Sequence, residues 1–127
     1  MSFMLSRMDV GQTPPIKYLP MTDGESVALG EALVLGAGKL TKCGATAKPA
    51  YIAVGVKNAV GEVPVIAVQG YMTFETTLQA AGDTLKKGDK VTLHTDGLQV
   101  TATTASGVAE IVSMEGTAVG SAVLVKF

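Results

Sequence analysis

The chain has 127 residues, 47% of them apolar and 17% charged, with a net charge of −1. That length suits one domain able to bury a core without staples, and the composition is not that of a disordered chain. Nine of the ten basic residues are Lys and Arg7 is the only Arg. This is a poor set for gripping phosphates, so nucleic acid is not an expected partner.

In chain order, residues 1–24 stand apart. They hold four of the six Met and three of the five Pro, without a periodic apolar pattern. Thr13-Pro14-Pro15 and Pro20 disfavour helix. The segment reads as an extended N-terminal arm rather than a core element, and residues 25–127 as a β-rich body. Val, Ala, Gly and Thr dominate that body in short runs broken by Gly. The expected strands are Ser26–Leu29, Ala32–Leu35, Lys39–Lys42, Tyr51–Val56, Val63–Val68, Tyr71–Thr76, Lys90–His94, Leu98–Thr103, Val108–Met114 and Ala122–Phe127. Alternation of Val91 with Leu93 and of Leu98 with Val100 is that of half-buried strands. Thr95-Asp96-Gly97 between them predicts a hairpin, because Gly accepts the positive φ of a tight turn. At most one helical turn is expected, near Leu78–Ala81. Many short strands at this spacing give an all-β fold, as a small barrel or a sandwich or tulip-like body.

A weak internal repeat runs through the body. Residues 27–68 fall on 85–126 when moved along by about 58 positions. Gly30-Glu31-Ala32-Leu33 meets Gly88-Asp89-Lys90-Val91, and Val65-Ile66-Ala67-Val68 meets Val123-Leu124-Val125-Lys126. The shared Gly-acid step reads as a tight turn feeding a strand, with the acid bonded to nearby backbone. Two pseudo-symmetric units or two lobes of one barrel both fit.

Chemistry-bearing residues are sparse. Cys43 is the only cysteine, which leaves no internal disulfide and no Cys-based metal site. It lies between Lys42 and Gly44, which favours its thiolate somewhat, yet a small polarizable filler or an idle thiol is the expected role. His94 is the only histidine. Asp96 or Glu110 could accompany it, but no nucleophile motif does. Gly36-Ala37-Gly38-Lys39-Leu40 fails as a phosphate loop, since the residue after Lys39 is Leu, and reads as a hairpin turn. Glu31 and Asp89 are assigned to turns rather than to an acid–base pair, and Lys86, Lys87 and Lys90 to a solvated turn. Tyr71 and Phe74 fall on opposite faces of one strand. No run approaches the ~20 apolar residues of a membrane span, and the first residues lack a signal peptide's order. A soluble, non-enzymatic protein without cofactor or metal is expected. Low charge leaves apolar patches for a neighbour to cover.

Residues 30–76 resemble phage head decoration (capsid cement) proteins of the lambda type. The segments that carry the resemblance are Gly30-Glu31-Ala32-Leu33-Val34-Leu35, Lys48-Pro49-Ala50-Tyr51-Ile52-Ala53-Val54-Gly55-Val56, Val63-Pro64-Val65-Ile66-Ala67-Val68 and Gly70-Tyr71-Met72-Thr73-Phe74. The extended segment ahead of them is similar too, whereas the C-terminal repeat departs from the family's short members. The resemblance implies a virion protein, made in the host cytoplasm. It would bind the major capsid protein on the outside of an expanded head, as a homotrimer, and staple neighbouring subunits together. An arm could add a strand to an open sheet edge of the shell, and many sites would act together. The arm residues that would serve are Phe3, Met4, Leu5, Met8, Val10, Pro14, Pro15, Ile16, Tyr18 and Leu19; the plainer role for Phe3 to Met8 is to cover the protein's own core. The alternatives are another virion module (a head fibre base, tail-tube or tail-tip protein), a small β-barrel enzyme or ligand-binding protein using His94, and a cytosolic protein-binding domain.

Overall fold

The computed structural model describes residues 2–8 and 13–127. Among these residues the fold is all-β. Its strands are β1 (Met4–Met8), β2 (Lys17–Pro20), β3 (Ala32–Gly36), β4 (Lys39–Lys42), β5 (Tyr51–Ala53), β6 (Glu62–Ala67), β7 (Met72–Thr77), β8 (Lys90–Val91), β9 (Ala109–Met114) and β10 (Ala122–Lys126). They form two antiparallel five-stranded sheets, ordered β2-β6-β5-β3-β4 and β1-β7-β10-β9-β8.

The two sheets repeat one wiring scheme. Gly30 N–H donates to Ala53 O and Ala53 N–H to Glu31 O; 58 residues on, Gly88 donates to Ile111 O and Ile111 to Asp89 O. Ala50 N–H donates to Leu33 O, and Val108 N–H to Val91 O. Ala32 pairs with Ile52 as Lys90 pairs with Glu110. β2 pairs with β6 as β7 pairs with β10, Tyr18 lying opposite Pro64 and Glu75 opposite Leu124. The internal repeat is therefore a duplication of structure, with β7 the counterpart of β2, but the ungapped match is corrected at β6: Ala53 pairs with Val65 as Ile111 pairs with Val125, so Val65 corresponds to Val125 and not to Val123.

The Gly-acid step is the same device in both units. Glu31 N–H donates to Ala28 O and Asp89 N–H to Lys86 O, each at 3.1 Å, across a turn whose third residue is Gly30 (φ 80) or Gly88 (φ 91). Gly is the residue that adopts that φ without a Cβ penalty. The acid then accepts from the first residue of its turn: Ala28 N–H reaches Glu31 Oε1 at 3.0 Å, and Lys86 N–H reaches Asp89 Oδ2 at 2.9 Å. The Gly36–Lys39 hairpin turns on Ala37 (φ 52) and Gly38 (φ 80), both positive as a two-residue hairpin turn of the primed type requires.

Neither sheet closes into a barrel by continuous pairing, but each curls until its far elements touch. Met21, just past β2, forms a parallel bridge with Leu40 of β4. Its counterpart joins Leu78, just past β7, to Val100. Inside the first curl lie Met21, Leu33, Leu40, Ala53, Val63 and Val65. The corresponding positions of the second are Leu78, Val91, Val100, Ile111, Val123 and Val125, part of the larger core. Ala32, Ile52 and Ile66, from the other face of the first sheet, join that larger core and weld the units together. The hairpin tip helps, since Ala32 N–H donates to Gly97 O at 2.8 Å and Leu93 N–H to Ala45 O at 2.9 Å.

Several expectations are corrected. Residues within 1–24 do supply core: Phe3 and Met21 are each only 2% exposed. β1 pairs with β7 and β2 with β6, because both sheets offer an edge and Phe3, Leu5 and Met8 have an apolar surface to cover. Ser26–Leu29 is not a strand, since residues 28–31 form the Gly30 turn. Tyr51–Val56 contracts to β5. Residues 98–103 keep a bridge at Val100 and backbone bonds between Thr92 and Thr101 and Thr103, but no regular ladder. Leu78 bridges to Val100, and no helix forms near it among the described residues.

Phe3 packs edge-on against Phe127 with centroids 5.6 Å apart, while Phe127 lies 5.7 Å from Phe74. Its N–H also donates to Gly30 O at 2.9 Å, fastening β1 to both units. Phe3→Ala is expected to lower stability by about 3–5 kcal/mol, read from the urea midpoint at unchanged slope. A change below about 1 kcal/mol in that measurement contradicts the anchoring role.

Candidate functional site

The arm residues divide by which way they face. Phe3 is in the core, and Leu5 and Met8 pack against it. Leu19 packs against the smaller core inside the first curl. Pro14 is half-buried and Pro15 exposed. Met4, Ile16 and Tyr18 project outward, 54%, 58% and 60% exposed. Val10 lies outside the described residues. The segment therefore supplies both internal anchors and external apolar groups, with the two-residue alternation interrupted in β1 between Leu5 and Arg7.

The outward set has neighbours that sequence reasoning did not single out. Met4 lines an apolar cavity of about 270 Å³ together with Leu5, Leu29, Val54, Ile52 and Ile66. Leu29 sits in the Gly30 turn and Val54 just after β5, and both are exposed. Tyr18 lies opposite Pro64 in the β2–β6 register, and Val54 N–H donates to Pro64 O at 2.9 Å. Register thus links Tyr18, Pro64 and Val54 in one row across the sheet, ending at the cavity. A second hollow of about 170 Å³ is bordered by Met8, Pro14, Pro15, Lys17 and Tyr71. The apolar identity of the outward set was legible in sequence; its exposure and convergence depend on the pairing.

β2 is the outer strand of its sheet, so one row of its backbone groups has no strand beside it among the described residues. Such a row is a template for pairing unless it is blunted. Pro14, Pro15 and Pro20 blunt it partly by removing N–H groups, leaving a short open window at Ile16–Leu19.

The carboxylates Asp96 and Glu31 hold backbone and a lysine. Asp96 accepts from Leu98 N–H at 2.8 Å and from Gln99 Nε2 at 3.1 Å, so both carboxylate oxygens hold the hairpin turn. His94 N–H donates to Gln99 O across that turn. Glu31 is buried, and its second oxygen takes Lys42 Nζ at 3.0 Å, a pairing that keeps a buried carboxylate from standing alone. The Thr92 and Thr101 hydroxyls are 2.7 Å apart, and Thr76 donates to Leu98 O. Among the described residues every buried side-chain N or O has a partner, and no three of His, Cys, Asp and Glu gather as metal ligands do. Tyr71 is exposed and Phe74 buried, on opposite faces as expected.

Cys43 is buried and donates to Ala47 O at 3.1 Å. Burial pushes its thiol from 9.0 up to about 11, which overturns the expected help from Lys42: desolvation opposes the thiolate more than that amine favours it. The neutral thiol is the folded form, so its contribution to stability is whole below pH 9 and is lost as pH rises through 11. In the native protein Cys43 is expected to resist a thiol reagent at pH 8 and to react on unfolding in urea. Cys43→Ala is expected to flatten the fall in stability between pH 9 and 11. Prompt native-state labelling at pH 8 contradicts this placement.

Compared with protein families, with curated proteins and with solved structures, the chain matches none.

Proposed function

We propose that this chain is a structural virion protein that binds the outer surface of a phage capsid and stabilises the expanded head. The observation that carries the reading is the outward apolar set of Met4, Ile16, Tyr18, Leu29 and Val54 on a body whose polar side chains are spent on turns and strand ends. A patch of that kind is a contact surface. The resemblance of residues 30–76 to decoration proteins supplies the kind of partner, the major capsid protein. The mechanism is binding rather than chemistry. Each contact is small, and a lattice of identical sites makes the sum large.

The division of the N-terminal segment suits such a role. Phe3 and Leu5 hold β1 on the body, so Met4 is presented on a fixed strand. A contact residue on an ordered strand loses less entropy on docking than one on a free tail. The protein is taken to act as a homotrimer, which places three such surfaces on one assembly.

Purified protein is expected to saturate expanded, undecorated heads with a fixed number of copies per shell, read by co-sedimentation. Met4→Lys is expected to weaken that binding by about tenfold or more, since it places a charge in an apolar contact, and of the sign that suits Glu75 opposite it. Met4 is exposed, so its urea midpoint should stay within about 0.5 kcal/mol of the parent. The reading fails if wild-type protein does not sediment with heads, or if the variant binds as the wild type does.

A further inference from the structure

We propose that the open edge of β2 is a docking site for one extended segment of the shell protein, added as a further strand at the place that β1 fills on β7. This rests on the shell-binding reading above and adds where, in which direction and with what chemistry the contact is made.

The duplication supplies the argument. β7 is the counterpart of β2 and carries a strand on each side: β10 on one, β1 on the other. β2 carries β6 on one side; on the other, β4 approaches its C-terminal end, through the Met21–Leu40 bridge and the Thr22 N–H to Leu40 O bond, and among the described residues no strand pairs with Ile16–Leu19 on that side. Among the described residues the counterpart of β1 is missing from the first unit. The backbone parity is the same in both. Met21 N–H donates to Gly61 O, as Leu78 N–H donates to Ser121 O, so alternate residues turn their backbone groups toward β6 or β10. Thr73 and Glu75 therefore face β1, and their counterparts Ile16 and Tyr18 face outward with N–H and C=O open. β1 runs antiparallel to β7 and pairs Met4 with Glu75, Leu5 with Phe74 and Arg7 with Thr73. An incoming strand takes the same direction along β2. Pro14 and Pro15 limit it at one end and β4 at the other, so the site holds about four or five residues.

The chemistry of the occupant follows from what lines the slot. On β7 the residue opposite Leu5 is Phe74, beside Phe127, and Phe3 packs there. On β2 the residue in Phe74's place is Lys17, which is exposed. A second copy of β1 would give up its aromatic anchor for a lysine. Symmetric pairing of two β2 edges about Lys17 would place two lysines opposite each other, which is unfavourable. The slot instead fits a segment from another protein with a carboxylate opposite Lys17 and apolar residues on either side, against Ile16 and Tyr18. Main-chain bonds would supply affinity and those side chains specificity.

The parity offers a clean test. Proline at 18 removes only an outward N–H, leaves the Lys17 and Leu19 bonds to β6 intact, and suits an edge strand. Tyr18→Pro is expected to keep the urea midpoint and to bind expanded heads at least about tenfold more weakly in co-sedimentation, the loss of roughly one hydrogen-bonded pair per site. Tyr18→Val gives up the same ring but keeps the N–H, and is expected to bind at least about fivefold more tightly than Tyr18→Pro. Lys17→Glu, on an exposed side chain, is expected to bind as weakly as Tyr18→Pro. Wild-type binding with undiminished binding by Tyr18→Pro overturns the docked strand and leaves the shell-binding reading standing. Wild-type protein that does not bind heads overturns both. A solution dimer by light scattering that Tyr18→Pro dissolves makes a second copy the occupant, and overturns the assignment to the shell protein. Should Tyr18→Pro lower the urea midpoint, Lys17→Glu decides: wild-type binding by that variant overturns the proposal.

Discussion

The structure depends on two parallel bridges, Met21 to Leu40 and Leu78 to Val100. A five-stranded sheet with one apolar face cannot bury that face while it lies flat. Each bridge ties the residue just past β2 or β7 to the far side of its unit, β4 in the first and the segment after β8 in the second, and this curl encloses six apolar side chains. Thr22 N–H donates to Leu40 O and Gln79 N–H to Val100 O, so the junction is held by backbone and not by packing alone. Once each unit is curled, the outer face of the first, through Ala32, Ile52 and Ile66, is free to pack on the second. The Gly-acid turns then set where each inner strand begins.

Duplication explains the asymmetry between the two outer edges. Two copies of one wiring scheme would present two equivalent outer edges, on β2 and β7. The chain's first strand covers one of them, with Phe3 set beside Phe74 and Phe127. Lys17 occupies the counterpart of Phe74, so the other edge lacks that aromatic seat. One edge is thus built for the chain's own strand, and the other is left short, proline-flanked and apolar at Ile16 and Tyr18.

Much of the body was legible in the residues. The Gly30 and Gly88 turns, the Gly36–Lys39 hairpin and the Thr95-Asp96-Gly97 turn each carry a local chemical signature, and each is where it was expected. The offset of the repeat was readable for β3 and β5, but apolar-on-apolar matching could not show that Leu40 and Val65 correspond to Val100 and Val125, two residues further on. The N-terminal segment misled for a physical reason. The pairing of β1 with β7 shifts register between Leu5 and Arg7, so the inward residues run Phe3, Leu5, Met8 and break the two-residue period. β2 is short and bordered by prolines, which masks a strand whose partner lies more than forty residues away. The residues that complete the outward patch, Leu29 and Val54, lie in a turn and at a strand's end, where no periodicity marks them.

As proposed, the molecule is a binding body whose effect is mechanical, and the consequence to look for is in the shell rather than in the protein. The most direct measurement is scanning calorimetry of expanded, undecorated heads with and without saturating protein. Ligation to the intact shell stabilises it by mass action. The account predicts that the shell's disruption transition moves to higher temperature and that the shift levels off at full occupancy. A transition that stays in place while the protein unfolds independently contradicts it.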